Sequence, residues 1–288
     1  MAMQIYNSLD EVVEAGTIAP DSIVNADCLE AMKFIPDKSI DCIICDLPYG
    51  VTALKWDVVI PFDLLWEQYK RIIKPNGAIV LFGSQPFTSA LVMSNPKWFK
   101  YEWIWEKDSM SNPALAKIQP LKYHENILIF CKGKTVYKPQ MWDAGFTSNQ
   151  PSKTSYLGSS GFKFVKSRRE QKTSTFRYPK SIVKFNKLKH NSGRGIEHPT
   201  QKPVSLIEYL AKTYTLENEL ILDNTAGSGT LAIAAINTNR RYICIEKDPD
   251  YFEVMRDRIE NHDPKALATP KKTRKPRAIP EGQLALFG

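Results

Sequence analysis

"ELILDNTAGSGTLAIAAINTNRRYICIEKD", residues 219–248, decides the architecture. Leu220–Asp223 is a short apolar run with the length of a buried strand, and Asn224 to Gly229 is rich in turn formers. The apolar stretch that follows has the length of a helix, and Tyr242–Ile245 is a second buried strand closed by Glu246. A strand, turn, helix and strand in this order form a parallel α/β unit. Gly227 and Gly229 remove side chains where backbone must pass close to a ligand. At the tip of the next strand, Glu246 can accept both hydroxyls of a ribose.

The unit is not built for a dinucleotide. A third glycine is expected three residues on, where the chain has Ala232, and no diphosphate cradle is visible. Asp223 at the strand tip would repel phosphate. An adenosine ligand with a positive or zwitterionic tail fits better, and S-adenosylmethionine has that description.

The same pattern extends through the chain. Ser22–Ala26, Asp41–Cys45, Ala78–Phe82, Tyr101–Trp105 and Asn126–Phe130 read as further buried strands. Helical periodicity covers Phe62–Ile73, stopping at Lys74-Pro75-Asn76-Gly77, and returns over Val204–Thr213 and Asp250–Ile259. Alternating strands and helices predict an α/β fold with a doubly wound, mostly parallel sheet. Regularity dissolves between 133 and 196, which predicts an inserted module separating a half at 20–132 from a half at 197–262. Residues 263–288 are Pro/Lys-rich and predict a disordered tail.

Composition narrows the partners. The 288 residues are 43% hydrophobic and 24% charged, the balance of an ordinary globular protein. No apolar run is long enough to span a bilayer, and the N-terminal stretch carries acids rather than a basic leader, which predicts a cytoplasmic chain. Five cysteines with no even spacing suit reduced thiols. Cys42 and Cys45 form a C-x-x-C, but residues three apart on a strand face opposite ways, and no second pair completes a zinc site, so no metal is expected. A formal net charge of +8 favours a polyanion. Lys163, Lys166, Arg168, Arg169, Lys172 and Arg177 crowd the insert, where Glu170 is the only acid between Lys153 and Arg194. Tyr156, Phe162, Phe164, Phe176, Tyr178 and Phe185 are interleaved with them. Charge and stackable rings together predict a nucleic-acid face.

A second short stretch carries chemistry. "CDLPYG", residues 45–50, sets a carboxylate (Asp46), a proline (Pro48), an aromatic ring (Tyr49) and a glycine at the lip of a buried strand. Asp46-Leu47-Pro48-Tyr49 resembles the D-P-P-Y element of the β-class DNA amino-methyltransferases. Asp223 to Thr230 is similar to that family's D-P-F-x-G-S-G-T element. His198-Pro199-Thr200-Gln201-Lys202-Pro203 looks like the segment that precedes its cofactor strand. The three elements lie in the family's order, and the resemblance covers roughly residues 20 to 262.

The resemblance implies S-adenosylmethionine-dependent methylation of an exocyclic base amine in double-stranded DNA, on a base extruded from the duplex. Asp46 and the Leu47 carbonyl would accept the amine hydrogens, Tyr49 would stack on the base, and Pro48 would stiffen the turn. Leu47 departs from the family's proline, which removes a restraint while keeping the carbonyl. Asp at position 46 favours adenine N6; cytosine N4 is the alternative. Carried over by matching, Asp27 and Cys28 would face the cofactor's adenine, Glu246 and Asp248 its ribose, and Asp223 its ammonium. Ala226, Gly227, Gly229 and Thr230 would line its path, while Lys202 and Ser205 would border the methionine tail. His198 reads as a cap or packing residue. A DNA-binding relative without catalysis and an RNA or protein methyltransferase remain open, as does monomer or homodimer. The final Gln283-Leu284-Ala285-Leu286-Phe287 resembles the peptide by which replication proteins dock on the bacterial DNA sliding clamp.

Overall fold

The computed structural model describes residues 3–51, 57–145, 175–187 and 201–264. The chain opens with β1 (Gln4–Tyr6), α1 (Leu9–Ala15), β2 (Ser22–Asn25), α2 (Cys28–Met32) and β3 (Ile40–Cys45). Next come α3 (Phe62–Ile72), β4 (Ile73–Gly83), α4 (Phe87–Ser94), β5 (Phe99–Glu106) and β6 (His124–Phe130). Three short strands follow, β7 (Trp142–Asp143), β8 (Phe176–Arg177) and β9 (Ile182–Lys184). The last third holds α5 (Val204–Tyr214), β10 (Leu220–Asp223), α6 (Thr230–Asn237), β11 (Arg241–Glu246) and α7 (Pro249–Glu260).

Among the described residues, nine strands form one sheet in the order β1-β2-β11-β10-β3-β4-β6-β5-β9. Pairings from β1 to β4 are parallel, β6 runs antiparallel to both β4 and β5, and β9 is parallel to β5. β10 lies between β11, its near neighbour in sequence, and β3, which comes far earlier. The carboxyl ends of β2, β11, β10 and β3 therefore open on one edge of the sheet, where ligands bind in open α/β folds.

The strands alternate as a sheet covered on both faces requires. Cys42, Ile44, Val80 and Phe82 pack with α5, α6 and α7 on one side. Ile43, Cys45, Ile79 and Leu81 pack with α1 to α4 on the other. Cys42 and Cys45 thus lie on opposite faces, and all five cysteines are free and buried. No helix among the described residues is long and apolar enough to cross a membrane.

Three features of the sheet go beyond what the sequence predicts. The helix stops at Ile72, ahead of Lys74-Pro75-Asn76-Gly77, and that stretch belongs to β4: the register slips between Ile40 and Cys42 of β3, so β4 bulges there. The sheet reaches beyond the expected lower boundary, because β1 pairs with β2 and α1 packs on it. Part of the irregular segment also belongs to the main sheet, since β9 pairs with β5 and Trp105 donates its indole N–H to the Phe185 carbonyl at 2.8 Å.

Candidate active site

A cleft of about 1160 Å³ runs along the carboxyl edge of the sheet, lined by the tips of β2, β3, β10 and β11. Asp46 follows β3 directly. Its backbone carbonyl accepts the Thr225 hydroxyl at 3.0 Å, and that hydroxyl also lies 2.9 Å from the Cys45 sulfur. The acidic tip and the glycine turn are thereby joined. Leu47 is buried in the core beside Cys45, so its side chain anchors the turn that proline would otherwise stiffen. Gly50 follows at φ +68, where an added Cβ would lie 2.8 Å from Val59. Asp57 clamps this exit, accepting the Gly50 and Val51 amides at 2.8 and 2.9 Å.

The Asp46 side chain is heavily engaged. Tyr49 donates its hydroxyl to Oδ1 at 2.7 Å, and its ring stacks on Phe87 with centroids 5.0 Å apart. Lys202 hydrogen-bonds Oδ2. Lys202 also lies 3.4 Å from Glu125, and Glu125 is ion-paired to Lys107. Burial raises the Asp46 carboxyl above its ordinary value, opposed by the Lys202 charge. Burial would lower the Lys202 ammonium, but Asp46 and Glu125 outweigh it and hold it above the usual lysine value. Burial would raise Glu125, yet Lys202 and Lys107 keep it ionised below the usual range.

The other half of the cleft is acidic. Glu246 accepts the Gly227 amide at 2.7 Å and the Asp248 amide at 2.8 Å, which holds the glycine turn against β11. Asp248 caps α7, accepting the Asp250 and Tyr251 amides. Asp27 caps α2 and pairs with Lys247 at 3.1 Å. Asp223 accepts the Thr225 amide at 3.1 Å, and burial pushes its carboxyl up to about 7. Burial likewise raises Glu246. Cys28 lines the cleft as a neutral thiol, pushed up to about 11 by burial.

The turn itself is held from two sides. Tyr69 of α3 donates to the Asn224 side-chain oxygen at 2.5 Å, and Arg258 of α7 reaches the Ser228 carbonyl at 2.9 Å and the Thr230 hydroxyl at 3.2 Å. Gly229 adopts φ +74, and an added Cβ would meet Met255 at 2.6 Å. These residues fit S-adenosylmethionine by donor chemistry. Among the described residues, Asp27, Asp223, Glu246 and Asp248 line the cleft around the glycine turn, Lys247 beside it is tied to Asp27, and Arg258 is held by Ser228 and Thr230. Such a set repels phosphate and suits a ligand carrying a sulfonium, an ammonium and ribose hydroxyls.

Most expected site residues meet in this cleft: Asp27, Cys28, Asp46, Leu47, Pro48, Tyr49, Lys202, Asp223, Ala226, Gly227, Thr230, Glu246 and Asp248. Gly229, the N-cap of α6, is outside the lining, with Met255 beside it. Ser205 is not brought in: it is exposed on α5, outside the lining. Lys202 contacts Asp46 rather than the glycine turn. Arg177 lies on β8, close to exposed Phe176 and Tyr178, while Lys180 sits 5.5 Å over the Trp142 ring. Lys163, Lys166, Arg168, Arg169, Lys172, His198 and the tail residues Gln283, Leu284, Leu286 and Phe287 lie outside the described residues.

Sequence reasoning missed Asp57, Lys107, Glu125 and Thr225. The available signal was position: Lys107 just follows β5 and Glu125 is the second residue of the antiparallel β6, so both fall at the edge where Asp46 stands.

A family model described as DNA methylase matches residues 40–257. The Type II methyltransferase M.HinfI of Haemophilus influenzae is 26% identical over 272 residues, covering 85% of this chain and 69% of that protein. Among solved structures, the M1.HpyAVI–SAM complex superposes with a TM-score of 0.55 at 21% identity, covering 90% of this chain and 99% of that one. The PvuII cytosine-N4-specific DNA methyltransferase gives a TM-score of 0.59 at 16% identity, covering 88% and 91%.

Proposed function

The chain belongs to the DNA methylase family, and from that premise we propose that it methylates adenine N6 at specific sites in duplex DNA, on a base turned out of the helix into the cleft beside Asp46. S-adenosylmethionine is the cofactor, and when bound it supplies an electrophilic sulfonium methyl group.

This chain's residues then solve a problem of the acceptor. An exocyclic amine is a poor nucleophile because its lone pair is delocalised into the base. The Asp46 carboxylate and the Leu47 carbonyl accept the two amine hydrogens, which localises the lone pair and aims it. Thr225 fixes the Asp46 backbone, and buried Leu47 fixes the next peptide, so both acceptors keep one geometry. The Tyr49 ring, backed by Phe87, offers a flat surface for the extruded base. Asp46, raised by burial, is suited to take the spare proton after transfer. In this reading Glu246 and Asp248 hold the ribose hydroxyls, Asp27 accepts from the adenine amine, and Asp223 faces the ammonium.

The observation that carries this reading is the Thr225–Asp46 hydrogen bond between adjacent strands β10 and β3, which puts the acceptor motif and the glycine turn in one cleft. Support for adenine comes from Asp at position 46. The basic, aromatic segment between β7 and β9 is assigned to reading the DNA site, and the tail peptide to a sliding clamp. The test is the nucleoside composition of DNA from a host expressing the gene. N6-methyladenine in one sequence context is expected; N4-methylcytosine would move the assignment to the other amine.

A further inference from the structure

Four buried or half-buried charges form a chain of alternating sign across the acceptor end of the cleft: Lys107, Glu125, Lys202 and Asp46. They come from four separate places, just after β5, on β6, just before α5 and just after β3. Lys107 and Lys202 are only 4% and 8% exposed. A buried ion chain adds little stability over an apolar core of the same shape, which directs attention to what the charges position.

Its geometry conflicts with the acceptor role of Asp46. Tyr49 occupies Oδ1 and the Lys202 ammonium occupies Oδ2. An ammonium so placed neutralises the carboxylate and blocks the oxygen that a target amine needs. One further feature resolves the conflict. Glu125 Oε1 is taken by Lys107, whereas Oε2 is buried, accepts no hydrogen bond, and stands 3.4 Å from the Lys202 nitrogen. A displacement of well under ~1 Å would convert that approach into a charge-assisted hydrogen bond.

We propose that Glu125 is a positioning residue that receives the Lys202 ammonium when the target amine enters, uncovering Asp46 Oδ2. Lys107 holds Glu125 by its other oxygen and keeps Oε2 aimed at Lys202. In the absence of DNA, Lys202 caps Asp46; with the base in place, it transfers to Glu125 and the acceptor regains its charge. No covalent bond changes, and the net charge of the chain of four stays the same. The inference rests on the function proposed above.

Two measurements test it. The first is the structure of the wild-type protein with duplex DNA and an unreactive cofactor analogue. Lys202 Nζ is expected within hydrogen-bond distance of Glu125 Oε2 and beyond it from Asp46. Lys202 remaining on Asp46 beside the bound amine would overturn the proposal. The second is single-turnover methylation by Glu125→Gln, after its melting temperature confirms a folded protein. Its rate should fall at least about tenfold while cofactor affinity stays within about twofold, a split that places the loss in the chemical step. Adding Lys202→Met should regain several-fold, because no ammonium then covers Asp46. A wild-type rate for Glu125→Gln, or a double variant no faster than the single one, contradicts the mechanism. Wild-type protein that methylates no DNA would instead remove the function on which the inference stands.

Discussion

The Thr225 hydroxyl donates to the Asp46 carbonyl at 3.0 Å across a sequence separation of 179 residues. That bond ties the Asp46 turn to the glycine turn and fixes the peptide that, in the function proposed above, presents its side chain and its neighbour's carbonyl to the target amine. Thr225→Val keeps the volume and leaves the carbonyl without its partner, at a cost of about 1–3 kcal/mol. The methylation rate constant should fall between about fivefold and about 150-fold, if that cost appears in the transition state. Thr225→Ser should retain most of it. Single-turnover kinetics at saturating DNA and cofactor make the comparison.

Cofactor binding should depend on pH through Asp223. Burial pushes this carboxyl from 3.8 up to about 7. Below that value it is neutral and offers no charge to an ammonium group. Affinity for S-adenosylmethionine should therefore rise with pH, by up to about tenfold per unit well below the folded pKa, and level off above it. Asp223→Asn should flatten the profile when binding is followed by calorimetry from about pH 5.5 to 7.5.

The same carboxyl has a consequence for stability. Because its folded value is raised, ionised Asp223 penalises the folded state at every pH above its unfolded value, and the penalty reaches its full size above about 7. At neutral pH, Asp223→Asn should raise the melting temperature of the cofactor-free protein by several degrees while weakening cofactor binding. An unchanged or lower melting temperature would show that the aspartate's hydrogen bond to Thr225 outweighs its buried charge.

Gly229 combines a left-handed φ of +74 with an approach that leaves 2.6 Å between an added Cβ and Met255. Gly229→Ala should destabilise the protein by about 1–3 kcal/mol, read as a lower midpoint of chemical unfolding. Adding Met255→Ala removes the collision without relieving the backbone, so any recovery measures the steric part alone.

The tail prediction concerns binding rather than chemistry. Deleting residues 282–288, which include Gln283, Leu286 and Phe287, should abolish calorimetric binding to a bacterial sliding clamp and leave methyl transfer on short duplexes unchanged. Unchanged clamp affinity would end the idea.

The parts of this molecule that were legible in sequence are those whose signal is local. β10, α6 and β11 follow from apolar runs broken by a glycine turn, and strands β3, β4, β5 and β6 from apolar runs of strand length. α2 spans only five residues and α4 eight, too short for periodicity to speak, so both went unread. The bulge in β4 arises from pairing with β3 and has no local signature beyond turn-forming residues. In the site, Asp46, Tyr49, Gly227 and Glu246 announced themselves through motif chemistry. Lys107 and Glu125 did not, because their meeting depends on the antiparallel pairing of β5 with β6, in which Trp105 stands opposite Glu125. Lys202 was assigned to the methionine tail on resemblance; two residues before α5, it hydrogen-bonds Asp46, which follows β3.

In the function proposed above, Asp46 receives the amine of an extruded adenine opposite the cofactor held by the glycine turn. Transfer of tritiated methyl groups from S-adenosylmethionine to duplex DNA, with the product hydrolysed to nucleosides, tests it directly in wild type and Asp46→Ala. The expected result is label in N6-methyladenine with wild type, and a rate lower by about a thousandfold or more with Asp46→Ala. Label in another nucleoside, or an Asp46→Ala protein as fast as wild type, would contradict it.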